Sequence, residues 1–184
     1  MPHRCSLRLA VATVVGLLLL PASAYADTAK VADADDTHGR LDVARVAHTH
    51  VHHRLVHSIR MQTGWKARVL RKGRLTVMFK SGSRYRTIEL DYRRRHLVAT
   101  ICRDERLAGG ELVNCSDDVA LDRPDGRTVN VTVRKRQVRK PGRQGYKWQV
   151  TSFLQSGQGE CPRGRLCVDS LPGADPWIRH GLRH

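Results

Sequence analysis

The chain has 184 residues and a formal net charge of +16, with 27% charged and 40% hydrophobic residues. This length suits one domain that buries its own apolar core, and nothing in it implies a second domain. A charge this positive predicts attraction to polyanions, among them wall polymers, acidic polysaccharides, nucleic acid and anionic lipid headgroups.

The first 26 residues have the features of an export signal. Two arginines precede an apolar run at 9–20, and the small residues Ala24 and Ala26 follow at the spacing that signal peptidase accepts. The run is shorter than the roughly 20 residues that a membrane-spanning helix needs. Because both arginines leave with the signal, cleavage lowers the charge from +16 to +14. We therefore expect a secreted protein, extracellular or associated with the cell wall, with no transmembrane segment after cleavage.

The remaining chain predicts an acidic arm and one β domain. Residues 27–40 are acidic and lack periodic apolar residues, which predicts an extended arm or loop. Residues 41–184 contain short segments rich in β-branched and apolar residues, separated by turn residues. These segments are 41–46, 55–61, 75–79, 85–92, 97–102, 119–121, 128–134, 146–154 and 166–171. The pattern predicts an all-β, antiparallel, jelly-roll-like sandwich of two sheets and eight or nine strands, with one short helix at 65–71.

Four cysteines remain after cleavage of the signal, an even number that predicts disulfides in an oxidising compartment. We favour the pairs Cys102 with Cys115 and Cys161 with Cys167, because each pair brackets a short loop between apolar segments. A zinc site is the alternative, although neither spacing is the short one that structural zinc usually takes. A catalytic thiol is disfavoured because all four cysteines can pair.

Histidines crowd the segment 48–57, which contains five of the ten in the chain. On a continuous strand His48, His50 and His52 would share one face, where imidazoles can bind copper, nickel or zinc. The alternative is a hairpin whose tip, near Val51 to His53, carries solvated histidines. The first interpretation predicts a transition-metal site.

A basic run follows the predicted strand at 128–134 and predicts a polyanion-binding surface. The candidate residues are Arg134, Lys135, Arg136, Arg139, Lys140, Arg143 and Lys147. Tyr146 and Trp148 alternate nearby, but at this spacing on a strand they are expected in the core. The alternative is a solvated surface without a specific ligand. We expect an anionic cell-wall or extracellular polysaccharide as the partner, and only non-specific binding of nucleic acid.

The acids of the arm predict a calcium site, because carboxylate oxygens are the ligands that calcium prefers. The candidates are Asp33, Asp35, Asp36 and Asp169, with Asp42 as an alternative to Asp169. The sequence lacks the motifs of serine hydrolases, zinc proteases, P-loop enzymes and dinucleotide-binding enzymes. We therefore predict no catalytic residues, and a hydrolase with an unrecognised site is the third interpretation.

Four parts of the chain carry a family resemblance: segment 33–42, segment 55–60, Trp65, and the stretch from Cys167 to His180. They resemble a group of uncharacterised secreted proteins of Gram-positive, actinobacterial-type bacteria. The resemblance implies a two-sheet sandwich like that of extracellular carbohydrate-binding modules, in which calcium often ties a terminal segment to the sheets. We predict a non-catalytic binding module for an anionic extracellular or cell-wall polymer, with a histidine-cluster metal-binding protein as the alternative.

Overall fold

A computed structural model of the chain describes residues 28–104, 111–138, 145–173 and 177–181. The predicted export signal lies outside these residues. The described strands are β1 (Thr28–Ala32), β2 (Val43–Val51), β3 (Arg54–Met61), β4 (Gly73–Ser81), β5 (Arg84–Arg93), β6 (His96–Asp104), β7 (Leu112–Ser116), β8 (Ala120–Asp122), β9 (Thr128–Arg134), β10 (Gly145–Leu154), β11 (Cys167–Leu171) and β12 (Ile178–Gly181).

The strands form two antiparallel sheets. The first sheet has the order β1-β2-β3-β9-β8, and the second has the order β11-β10-β4-β5-β6-β7, with β12 also paired to β10. The chain crosses from the first sheet to the second after β3, returns after β7 and crosses again after β9. The predicted antiparallel two-sheet sandwich is confirmed.

Alternating side chains from both sheets build the core between them. In β10 every second residue from Tyr146 to Leu154 is buried, and β3 buries Leu55, Ile59 and Met61 in the same way. Trp148 is fully buried, and burial of each large apolar side chain stabilises the fold by about 1.5–3 kcal/mol. Period-2 patterning in the sequence therefore identifies the inward faces of these strands.

Three short edge strands were not predicted from the sequence. Residues 28–32, predicted as part of an extended arm, pair with β2 as β1, and Val31 packs against the core. Strands β7 and β12 also lie at positions where no strand was predicted. Edge strands of four or five residues have too few alternating positions to give a clear pattern, so only their pairing partners define them.

Two short helices complete the described structure. The predicted helix at 65–71 is a single 3₁₀ helix, Ala67–Arg71, whose residue Leu70 is buried. Helix α1, Lys135–Val138, was not predicted and is anchored by the buried side chain of Val138. Among the helices of the described residues, none is long and apolar enough to span a membrane.

Two disulfides fix the loops at the edges of the sheets. One joins Cys102 in β6 to Cys115 in β7, and the other joins Cys161 to Cys167 at the start of β11. Both predicted pairs are confirmed. Disulfides persist in oxidising compartments, which fits a secreted or extracellular protein.

Candidate functional site

Helix α1 joins the two sheets at one end of the sandwich, where β2 turns into β3. The backbone N–H of Lys135 donates to the carbonyl of His53 in this turn, at 2.8 Å. On the other side, Arg86 Nε in β5 donates to the carbonyl of Gln137, at 3.3 Å. The last residue of β9, the first residue of β10 and the turn between β4 and β5 therefore lie at this same end.

The predicted polyanion residues divide between two places at this end. Arg134 is the last residue of β9 and forms an ion pair with Asp118, at 3.2 Å. Arg136 is exposed on α1, and Lys135 is half-buried beside it. Lys147 lies on the second sheet instead. The remaining three candidates, Arg139, Lys140 and Arg143, lie outside the described residues.

Lys147 belongs to a row of cations that crosses three strands on the outer face of the second sheet. Its register partner in β4 is Lys80, and its register partner in β12 is Arg179. Strands in a sheet are about 4.8 Å apart, so the three Cα atoms span about 10 Å. Of the described acidic side chains, none forms an ion pair with these three residues. We call Lys80, Lys147 and Arg179 the cation row.

An aromatic pair and a groove lie beside the cation row. Tyr85 is the register partner of Lys80, whose ammonium lies 5.0 Å from the centre of the Tyr85 ring. The Tyr85 and Trp177 rings are 6.3 Å apart between centres. The adjoining groove has a volume of about 460 Å³, and its lining includes Tyr85, Trp177, Thr76, Gln149, Thr151 and Arg74. The outer face thus combines cations, aromatic rings and polar side chains.

Of the residues on this surface, only Lys147 was predicted from the sequence to bind a ligand. Tyr146 and Trp148 were predicted in the core, and both are buried there. That placement directs Lys147 outward, as the inward Phe79 does for Lys80. The alternation thus predicts each outward lysine separately, but the register that aligns them depends on pairing between distant segments.

The histidines form a separate group inside the core. His48 and His57 are register partners on β2 and β3, fully buried, with ring centres 4.3 Å apart. His180 of β12 lies 4.3 Å from His48 on another side. The Tyr146 hydroxyl and His48 Nε2 form a hydrogen bond of 2.5 Å between the two sheets. These imidazoles therefore help to connect the sheets.

Burial keeps the core histidines neutral. Loss of solvation, and then the nearby His180, lower the pKa of His57 to about 3. The pKa of His48 is also lowered, first by burial and then by His57. Neither nitrogen of His57 has a hydrogen-bond partner, which is costly for a buried imidazole.

The predicted metal ligands His48, His50 and His52 occupy three different environments. His48 is in the core, His50 is half-buried, and His52 is exposed in the turn after β2 with a φ of 53°. Strand β2 ends at Val51, so the shared face does not extend to His52. In the described part of the chain, the histidines do not form a group of three with ligand atoms within 4.8 Å. Metal binding by these histidines stays a prediction.

Acidic side chains gather at the opposite end of the sandwich, before β2 begins. One oxygen from each of Asp33, Asp36 and Asp169 lies within 4.8 Å of the other two. Asp169 is on β11, and its Oδ2 accepts a hydrogen bond from the Val43 backbone N–H at 2.6 Å. The structure therefore brings the arm acids predicted as calcium ligands to the predicted acid on β11.

Asp42 lies against this group. Its side chain is 2% exposed, and burial, then the charge of Asp169, then Asp35 raise its pKa to about 7. Burial and then Asp33, opposed by the hydrogen bond from Val43, bring the pKa of Asp169 to about 6. We call these five residues, Asp33, Asp35, Asp36, Asp42 and Asp169, the acidic site.

No protein-family model, curated protein or solved structure matches the chain. Its function must therefore be inferred from the chemistry at the two ends of the sandwich.

Proposed function

We propose that the chain is a secreted, non-catalytic binding module for an anionic extracellular or cell-wall polymer. The polymer lies across the outer face of the second sheet. The observation that carries this proposal is the cation row, in which Lys80, Lys147 and Arg179 occupy register positions on adjacent strands. The resemblance to carbohydrate-binding modules led to the same expectation.

Like charges on adjacent strands repel one another, because directly opposed side chains have Cβ atoms only about 5 Å apart. The cation row lacks acidic partners among the described residues, so water and dissolved ions screen its charge. A polymer with regularly spaced carboxylates, sulfates or phosphates would replace those ions and release them to solution. Binding of this kind weakens as salt concentration rises.

The aromatic pair favours a polysaccharide over a simple polyphosphate. Tyr85 and Trp177 are half-buried, so each presents part of its ring at the groove. The apolar face of a sugar ring can pack on an aromatic ring, while its hydroxyl groups bond to polar side chains such as Gln149 and Thr151. These contacts would add affinity that depends little on salt.

The test is binding of polygalacturonate and of duplex DNA at several salt concentrations. The variant Lys80→Gln, Lys147→Gln, Arg179→Gln should bind both probes more weakly. Each phosphate contact contributes about 0.9 to the salt slope on duplex DNA, so the slope should fall by about 2 to 3. The matched control is Lys66→Gln, Lys72→Gln, Arg165→Gln, which removes the same charge from other exposed positions.

The control variant separates a located site from general positive charge. We expect it to keep wild-type affinity and slope within about twofold. If both triple variants lose affinity equally, the attraction comes from net charge and the proposed surface is wrong. If neither loses affinity, the polymer does not bind at the cation row.

Secretion is part of the proposal and has its own test. The protein recovered from the medium of an exporting host should begin at Asp27, with the first 26 residues removed. Retention of Met1 on the recovered protein would contradict the export signal.

A further inference from the structure

We propose that Asp33, Asp36 and Asp169 bind one calcium ion, with Asp42 completing the site. The distances between their carboxylate oxygens are short enough for all three to bind the same ion. Two oxygens bound to calcium at about 2.4 Å each lie at most about 4.8 Å apart. One oxygen from each of the three residues satisfies this limit against the other two.

Asp42 gives independent evidence for a missing positive partner. The residue is 2% exposed, and neither carboxylate oxygen has a partner that meets hydrogen-bond distance and angle, although the Thr37 backbone and the Asp35 side chain lie near it. Buried carboxylates normally accept hydrogen bonds or contact a cation, because an unpaired buried charge is costly. Its strongest charge interaction is with Asp169, one of the three proposed ligands, so the Asp42 carboxylate lies beside the group.

Among the residues that the structure describes, no cation balances these charges. The chain as a whole carries +16, yet no lysine or arginine of the described residues forms an ion pair with the acidic site. Asp35 adds a further carboxylate beside Asp42. A divalent cation would replace this mutual repulsion with attraction.

The donor atoms favour calcium over other metals. Every ligand in the group is a carboxylate oxygen, and hard cations prefer such ligands, whereas zinc and copper favour nitrogen and sulfur. Magnesium requires a nearly ideal octahedron and keeps several waters, whereas calcium accepts irregular sets of six to eight oxygens. Backbone carbonyls or water would complete the shell.

The ion would cross-link two segments of the chain. Asp33, Asp36 and Asp42 lie in the connection between β1 and β2, and Asp169 is on β11 of the other sheet. Few direct bonds connect the segment after β1 to β11, one being a 3.4 Å hydrogen bond from Thr37 Oγ1 to the Val168 carbonyl. Calcium would therefore hold the N-terminal segment against the sandwich.

The experiment is a calorimetric titration of the chelator-treated protein with CaCl₂ at neutral pH, followed by thermal unfolding. We expect one calcium per chain and a rise in Tm of roughly 5 °C or more at saturation. MgCl₂ should bind at least tenfold more weakly. Absence of both binding and a Tm shift at 10 mM CaCl₂ would overturn the proposal.

Two substitutions locate the site. Asp36 is exposed, so Asp36→Asn should fold normally and bind calcium at least tenfold more weakly. Asp42→Asn removes a buried charge, so it should raise the Tm of the chelated protein and still weaken calcium binding. The control Glu111→Gln changes an exposed acid outside the acidic site and should titrate as the wild type does. Unchanged titration of both Asp variants would show that calcium binds elsewhere.

Discussion

The two ends of the sandwich each gather like charges, but in opposite environments. The cation row lies on an outer sheet face, with Arg179 exposed and both lysines half-buried. At the acidic site, Asp42 and Asp169 are 2% and 5% exposed. Strand β2 runs from one end to the other, and its nine residues extend about 30 Å. Burial therefore distinguishes the surface for which we propose a mobile ligand from the site for which we propose a resident ion.

The difference in environment changes the energy of each cluster. Two unit charges 4.8 Å apart repel by about 0.9 kcal/mol in water and by about 3.5 kcal/mol at an effective dielectric constant of 20. The cation row can therefore exist without a ligand at small cost. At the acidic site, burial and then the charge of Asp169 raise the pKa of Asp42 to about 7.

The largest expected effect concerns the core histidines, which tolerate burial because they are neutral. The unfolded chain protonates His57 near pH 6.5, whereas the folded protein resists protonation down to about pH 3. Stability should therefore fall as pH decreases through this window, by about 1.4 kcal/mol per pH unit for each such histidine. Urea unfolding at pH 7, 5 and 4 measures this slope.

The variant His57→Phe isolates that contribution. It should reduce the slope of unfolding free energy against pH by the equivalent of one proton. His96→Gln, at an exposed position, should leave that slope unchanged. Asp42 and Asp169 titrate in the opposite sense, because their raised pKa values favour protonation of the folded state. The contribution of His57 is therefore measured as the difference in slope between the wild type and His57→Phe. Equal slopes would mean that His57 does not titrate on unfolding.

The next effect compares the two clusters directly. In chelated protein at pH 8, Asp42→Asn should increase the free energy of unfolding by about 1–3 kcal/mol, because it removes an unpaired buried charge. Saturating calcium should reverse the order of wild type and variant. Urea unfolding with and without CaCl₂ measures both values. A destabilised chelated variant would show that the Asp42 charge has a compensating partner.

Removal of one charge from the cation row should change stability least. We expect Lys147→Gln to change the free energy of unfolding by no more than about 0.5 kcal/mol, because solvent already screens that charge. Its affinity for polygalacturonate should nevertheless fall. A stability change above 1 kcal/mol would indicate that Lys147 has a structural role and would weaken the contrast between the ends.

A further prediction concerns binding alone and separates aromatic from ionic contacts. Tyr85→Leu should lower affinity for polygalacturonate by about tenfold, or roughly 1.4 kcal/mol, without changing the salt slope. Measurement of affinity at low and high salt checks this. A change in slope would indicate that the substitution disturbs Lys80, which lies over the Tyr85 ring.

Local patterns in the sequence predicted the features that depend on neighbouring residues. Alternation along β3, β4, β9 and β10 identified their inward faces, and short cysteine spacings identified both disulfides. The arm acids were recognised because Asp33, Asp35 and Asp36 are close in the chain. Their partner Asp169 is 133 residues beyond Asp36, and its position depends on how β11 pairs at the sheet edge.

Features that depend on register between distant strands were not predictable in the same way. Arg179 joins the cation row, and His180 joins the core histidines, only because β12 pairs with the first residues of β10. The four residues of β12 carry no strand pattern of their own. His52 was placed on the face of His48 because the sequence around it lacks the usual turn residues, yet it adopts a positive φ in the turn.

A single NMR experiment tests the contrast between the two ends most directly. Backbone amide shifts would be recorded on the same sample during titration first with CaCl₂ and then with an oligogalacturonate. Calcium should shift amides in 33–43 and 168–170, and the oligosaccharide should then shift amides around Lys80, Tyr85, Lys147 and Arg179. Shifts from both ligands at one end, or oligosaccharide shifts centred away from the cation row, would contradict the assignment of separate sites to the two ends.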